Sequence, residues 1–416
     1  MNADSPFPKW KKNISLFLSG QAISLFGSAV VDYAIIWHIT LETKSAMAMT
    51  IGILCSFVPR LLISLFSGIW ADKYNRRYLI IGADAGIAFV TLLLAVFYLS
   101  GFNQLWLIFL VMGLRSIGTG IQTPAVNALI PQITPKGQLM RINGINNTIQ
   151  SFIMLLAPAA GGALLSLIPL GVIFFVDVVT AMMSIIIMFI IRIRHHLTEE
   201  EKKEKRERRY GEDMREGLRF TKNNAFVREM LIIYSFYYFL IAPAAFLSPL
   251  LVARVFGEEV WRLTANEIIF SLGMMIGGIV MARKNGFKDR ITMIALSCFI
   301  VGVTTIILGI SGFYLFLGAT LIMGIFISIS SSTEMALFQE KVDIKMQGRV
   351  FSLVQIVTTT IMPLAMLLFG PLGDLINVKL LFIICGILTL GLSLFIYTNK
   401  RLRKAVPVEG GGSVDK

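Results

Sequence analysis

A chain of 416 residues that is 56% hydrophobic and only 15% charged does not have the composition of a soluble globular protein. Its net charge of +13 would suit a nucleic-acid binder, but the cations are scattered over short loops between apolar runs, not gathered on one patch. No phosphate-binding loop is present, so ATP is not expected to drive any work, and nothing in the chain reads as an enzyme.

Apolar runs of 18 or more residues mark membrane spans. Twelve are predicted, at about 14–39, 47–71, 78–100, 104–130, 143–167, 170–192, 227–252, 262–283, 290–311, 313–338, 349–372 and 378–399. The predicted fold class is therefore an all-α membrane protein with twelve transmembrane helices in two six-helix halves. If the N-terminus lies inside and the spans alternate, only Lys44, Arg254, Arg262 and Lys379 fall in outer segments, and Arg60 and Arg115 fall within spans. The rest of the 38 lysines and arginines are inside, as the positive-inside rule requires, with both termini cytoplasmic. Trp10, Trp37, Trp70, Trp106 and Trp261 fall near predicted span ends and are expected at the interfaces. The short basic N-terminus carries no small-residue cleavage site and does not read as a removable signal.

Span 1 carries Asp32 and span 2 carries Pro59-Arg60. The turn that follows is Gly68-Ile69-Trp70-Ala71-Asp72-Lys73-Tyr74-Asn75-Arg76-Arg77. Asp72 can accept from free backbone N–H groups at a helix start. Gly68 is expected to admit a close helix neighbour and Asn75 to occupy a left-handed position. Span 3 carries Asp84, and span 4 carries Arg115 in Gly113-Leu114-Arg115-Ser116-Ile117-Gly118-Thr119-Gly120. A charge near the bilayer centre costs about 2.5–3.5 kcal/mol, so such groups face a cavity or a partner. At about 1.5 Å per residue, Asp32 lies roughly 10 Å below the outer end of span 1 and Arg115 roughly 16 Å below that of span 4, within an arginine's reach. Asp177 in span 6 and Glu267 in span 8 are further intramembrane acids, and Glu334 lies towards the end of span 10. Each has two readings, a fixed ion-pair or capping group and a proton-carrying or cavity group. Arg60 is either a cavity cation or a partner for unpaired carbonyls.

In span 5, Ala157-Pro158-Ala159-Ala160-Gly161-Gly162 combines a helix-bending proline with small residues that permit close approach. Span 8 offers Gly273 and Gly277, and these are expected to pack on Pro158, Gly161 and Gly162. The expected division is an N-terminal six-helix half over 1–192, a solvated mixed-charge linker over 193–226, a C-terminal half over 227–400 and a disordered tail over 401–416. The halves read as repeats: at an offset of 208 residues, Ala128-Leu129 matches Ala336-Leu337, Arg141 matches Arg349, Gly162 matches Gly370 and Phe174 matches Phe382. Cys55, Cys298 and Cys385 stand singly in spans, and with no metal-ligand spacing among Cys or His neither a metal nor a cofactor is expected.

The turn at 68–77 resembles the signature Gly-x-x-x-Asp-(Arg/Lys)-x-Gly-Arg-(Arg/Lys) of the major facilitator superfamily, with Asn75 replacing its second glycine. The span 5 stretch resembles that superfamily's antiporter motif, with Ala157 replacing the first glycine. Arg115 to Gly120 with Thr123-Pro124-Ala125-Val126-Asn127-Ala128, and Ala336 to Lys341 with Gly348-Arg349-Val350-Phe351-Ser352-Leu353, resemble the bacterial macrolide-efflux branch. An acid common at the inner end of span 4 is replaced by Asn127. The resemblance implies a monomeric transporter of the bacterial cell (inner) membrane that exports amphipathic small molecules by proton antiport with alternating access. The alternative is an exporter or importer of one native metabolite, such as a siderophore or sugar. The resemblance further implies a conformational latch from Gly68, Asp72, Lys73, Arg76, Arg77, Asp84, Glu334 and Arg349. It implies a proton-coupling or substrate cavity from Asp32, Arg115, Arg60, Asp177 and Glu267, and antiporter packing by Pro158, Gly161, Gly162, Gly273 and Gly277.

Overall fold

The computed structural model describes residues 10–191, 218–283, 287 and 289–405, and the described residues contain helices and no strand. The helices are α1 (Trp10–Thr43), α2 (Ala46–Lys73), α3 (Arg76–Leu99), α4 (Leu105–Ile133), α5 (Leu139–Leu167), α6 (Leu170–Ile190), α7 (Ala225–Phe246), α8 (Ser248–Val255), α9 (Val260–Arg283), α10 (Arg290–Ile310), α11 (Phe313–Lys341), α12 (Ile344–Leu375), α13 (Val378–Thr398) and α14 (Lys400–Ala405). Among the described residues, twelve stretches are long and apolar enough to cross a membrane, one of them formed by α7 and α8 together. Span 7 is thus broken at Leu247, between Pro243 in the last turn of α7 and Pro249 at the start of α8, because neither proline supplies a ladder donor.

The chain forms two compact units. Unit 1 holds the described residues up to Thr43, those from Ile51 through α6, and Glu259–Thr264. Unit 2 holds Lys44–Thr50, the residues from α7 to Glu258, and those from Ala265 on. Inside unit 1, α1 packs on α5 and α6, and α3 packs on α4 and α6. Inside unit 2 the equivalent pairs recur: α7 on α12 and α13, and α10 on α11 and α13. Each unit therefore repeats one packing scheme, as expected for parallel half-repeats.

Small residues set the close crossings. A Cβ on Gly302 would lie 3.1 Å from the Gly386 carbonyl, where α10 meets α13, and one on Gly118 would run into Ile87, where α4 meets α3. In α3 the buried positions Ile80, Asp84, Ile87, Thr91, Leu94 and Ala95 share one stripe, while Phe89, Leu93, Val96 and Phe97 are exposed. A 3.6-residue period thus turns the polar groups inward and the large apolar ones outward, the reverse of a soluble helix. At the end of unit 1 where α1 begins, Ile14, Phe17, Ile80, Leu129, Ile133 and Met188 form one buried cluster.

The structure departs from several expectations. Trp37 is 1% exposed and packs on Tyr33, with ring centroids 5.6 Å apart, so it is a core residue and not an interfacial one. Hydropathy places it at a span end, but α1 continues to Thr43. Asn75 is extended (φ −67°), not left-handed; it caps α3 by accepting from the Arg77 N–H at 3.0 Å. No neighbour lies within 4 Å of a Cβ built on Gly68, so the close approach expected there is absent among the described residues. The tail expected to be disordered from 401 begins instead with α14. Arg403 secures it, donating to Tyr397 O at 2.8 Å and to Thr292 Oγ1 at 3.1 Å. Asp289 caps α10 beside it. Burial raises its carboxyl pKa, but the Thr292 hydroxyl and N–H, with Arg403, hold it below the ordinary carboxylate value. Most of the expected 193–226 linker, and the tail from 406, lie outside the described residues.

Candidate transport site

The centre of unit 1 is Arg115, on the buried face of α4 and 5% exposed. One of its amino groups, Nη2, donates to Asp32 Oδ1 on α1 at 2.9 Å. The other, Nη1, pairs with Asp177 Oδ2 on α6 and donates to Thr91 Oγ1 on α3 at 2.6 Å. Asp177 is fully enclosed and also accepts from Ser28 Oγ at 2.6 Å and Thr91 Oγ1 at 3.0 Å. The Asp32 side chain, by contrast, is 60% exposed. One guanidinium is therefore shared by two carboxylates in unlike surroundings: Asp177 is saturated with donors, and Asp32 has one ion pair on an open face. Spacing alone could place Asp32 and Arg115 at similar depth, but not Asp177 with them. That contact depends on α3 and α6 packing side by side, which brings Thr91 and Asp177 together.

Ser116, the residue after Arg115, serves α2. It donates to Ser56 O and accepts from the Arg60 N–H at 3.0 Å, so its hydroxyl sits inside the α2 ladder directly around Pro59. The neighbouring Gly113 and Gly120 make room for this. A Cβ on Gly120 would lie 3.0 Å from Arg60 O, and one on Gly113 would lie 3.9 Å from Cys55 O. The α2 ladder is thus interrupted in two ways that favour bending, by a proline and by an inserted hydroxyl. The Arg60 side chain itself is exposed.

The expected latch residues divide among separate surroundings. Asp84 is 1% exposed, held by Gln122 on α4 and by Ser184 at 3.2 Å on α6, so it is an internal acid of unit 1. Arg76 is also buried, donating to Ala71 O at 3.0 Å, Ala128 O at 2.9 Å and Gln132 Oε1 at 3.2 Å. Arg77 donates to Phe189 O at 2.9 Å. These two cations tie α3 to α4 and α6, and satisfy carbonyls near the helix ends. Lys73 is exposed, and the Asp72 side chain lies outside the described residues. Glu334 is enclosed in unit 2, and Arg349 sits in the first turns of α12 with Nη1 3.3 Å from Met346 Sδ. Glu267 on α9 is half-buried and has no hydrogen-bond or ion-pair partner among the described residues.

The glycine faces have close neighbours within their own units. A Cβ on Gly161 would lie 3.0 Å from Val30 O, and one on Gly162 would meet Trp37 and Thr264. Gly273 and Gly277 face α11, where a Cβ would strike Leu321 O and Ile325 O. Pro158 is buried in the same α5 face as Gly161 and Gly162. Small-residue spacing marks close approach but does not select the partner helix.

Asp374, near the end of α12, was not singled out in the sequence. Within unit 2 it accepts from Ser45 Oγ at 2.7 Å and from the Ala46 and Met47 N–H groups at 2.8 Å each, capping α2. Arg254 pairs with it at 2.5 Å and donates to Lys44 O and Gly373 O. Lys44, with a positive φ of 47°, marks the chain reversal just before the α2 start. Asp374→Ala is expected to lower stability by about 1–3 kcal/mol, through loss of the cap and of the Arg254 partner, seen as a lower thermal midpoint of the purified protein.

A family profile of the Major Facilitator Superfamily matches residues 14–363. The chain belongs to the major facilitator superfamily. It is 30% identical over 403 residues to macrolide efflux protein A of Streptococcus pyogenes, covering 96% of this chain and 98% of that protein. It is 31% identical over 334 residues to macrolide efflux protein A of Enterococcus faecalis, covering 79% and 99%. Among solved structures, a bacterial homologue of the iron transporter ferroportin in an inward-facing state aligns with TM-score 0.68 at 14% identity, over 93% of this chain and 99% of that one. That likeness bears on the fold alone. This superfamily member is an all-α, multi-pass membrane transporter with twelve membrane-crossing helices.

Proposed function

We propose that this transporter exports macrolide-like amphipathic small molecules by proton antiport with alternating access. The observation that carries the reading is the 30% identity to macrolide efflux protein A over 96% of the chain. The Arg115 cluster supports the proton. One guanidinium balances one carboxylate, so with both acids ionised the trio carries one surplus negative charge. Asp177 keeps Arg115 in every step because its other oxygen positions are filled. Asp32, on the open face, takes the proton or meets a cationic substrate. Moving one proton through 100 mV supplies about 2.3 kcal/mol, enough for roughly fifty-fold accumulation.

The protein is read as a monomer of the bacterial cell (inner) membrane with both termini in the cytoplasm, supported by the cation distribution. The turn carrying Asp72 and Lys73 is read as the latch of the cycle, while Arg76 and Arg77 brace unit 1. Asp72→Asn is expected to cut efflux without lowering membrane insertion; full efflux in that variant would remove the turn from the cycle. The reading as a whole is tested by expression in a drug-sensitive bacterium. Accumulation of a labelled macrolide should fall and should recover when a protonophore collapses the gradient. A panel of macrolides that accumulate equally with and without the protein would contradict it.

A further inference from the structure

Unit 2 contains an enclosed acid of its own, outside the Arg115 cluster. Glu334 on α11 is 8% exposed. Its Oε1 accepts from Ser330 Oγ, one turn earlier, at 2.6 Å, and Tyr234 of α7 lines a small cavity beside it. The groups that face it are Tyr234, Tyr237 and Tyr238 from α7, Cys298 from α10 and Ser330 from its own helix; α13 contributes only Ile396. No lysine, arginine or histidine among the described residues pairs with it. Tyr234 stacks on Phe338 and on Tyr238, with centroids 5.9 and 6.0 Å apart, so rings wall the acid on the α7 side.

Beside the carboxyl lies a cavity of about 10 Å³, lined by Tyr234, Tyr237, Cys298, Ser330 and Glu334 among apolar residues. That volume holds about one water. Tyr237 lines it, and although Tyr237 is only 9% exposed, its hydroxyl has no hydrogen-bond partner among the described residues. A buried hydroxyl without a partner is costly, and one water in this mostly apolar cavity, which Ser330 and Glu334 also line, would supply the missing group. A carboxyl with no counter-charge in such a place is favoured in its neutral form. We propose that Glu334 is a second proton-binding site, loaded and unloaded through a water that bridges it to Tyr237. A hydronium delivers its proton to a carboxylate oxygen, leaving a carboxylic acid and a water, and the reverse step returns the proton. Asp32 and Glu334 would then give each unit one acid. The place of Glu334 in transport rests on the proton-coupled reading, but its protonation does not.

The test is infrared difference spectroscopy of the purified full-length protein between acidic and alkaline pH, without substrate. Wild type should show a carboxylic-acid C=O band that is absent from Glu334→Gln and present in Asp32→Asn. Tyr237→Phe, which keeps the carboxyl but removes the buried hydroxyl, should shift the midpoint of that band. Identical titrating bands in wild type and Glu334→Gln would overturn the proposal, as would an unmoved midpoint in Tyr237→Phe. If the band behaves as stated while a pH gradient drives no efflux, the site stands and the proton-coupled reading fails.

Discussion

Replacing Arg115 with methionine is expected to destabilise the protein by about 3–5 kcal/mol, the cost of stranding a buried carboxylate without its partner. Asp177 has no exposed surface, and in the variant only Ser28 and Thr91 would remain to it. The loss should appear as a lower thermal midpoint and poor recovery from the membrane. Adding Asp177→Leu to Arg115→Met should restore much of it, because an apolar pair can replace a buried ion pair at little cost. Asp32→Asn alone should change stability less than Arg115→Met, since that side chain is 60% exposed and Arg115 keeps Asp177. A wild-type midpoint for Arg115→Met would show that the cluster does not hold unit 1 together.

The second large effect is expected on transport. Asp32→Asn should abolish drug accumulation driven by a pH gradient, reducing a ratio of roughly fifty-fold to about one. The same variant should still exchange labelled for unlabelled drug downhill, because the side-chain amide keeps the shape of the carboxyl and loses only its titration. Measured in reconstituted vesicles, the two assays separate coupling from binding. Uphill transport by Asp32→Asn with unchanged pH dependence would make Asp32 structural.

The spans were legible because each is a long apolar run, and hydropathy reports length well. It does not report what a helix faces. Trp37 and Asp84 show this: one sits near a span end and the other soon after the basic turn, yet both are core residues. The reach between Asp32 and Arg115 could be estimated from rise per residue alone. The enclosure of Asp177 could not, because it requires four helices to converge. Asp374 was missed for a related reason. An acid at a span end looks like ordinary loop polarity until the N–H groups of Ala46 and Met47 are brought to it. The glycine stripes gave the right property, close approach, without naming a partner: inside unit 2, Gly273 and Gly277 meet α11 because a backbone lies there, and spacing carries no information about which one. The break at Leu247 was marked by Pro243 and Pro249, but an apolar run continues through it and hides the interruption.

The central claim is that drug and proton move in opposite directions through one protein. Simultaneous recording of a labelled macrolide and of vesicle pH, in liposomes containing the purified transporter, tests it most directly. With the drug driven in one direction by its own gradient, protons should move the other way, with a flux that scales with drug flux and disappears in Asp32→Asn. Macrolide flux with no accompanying proton movement, or proton movement unaffected by the drug, would contradict the account.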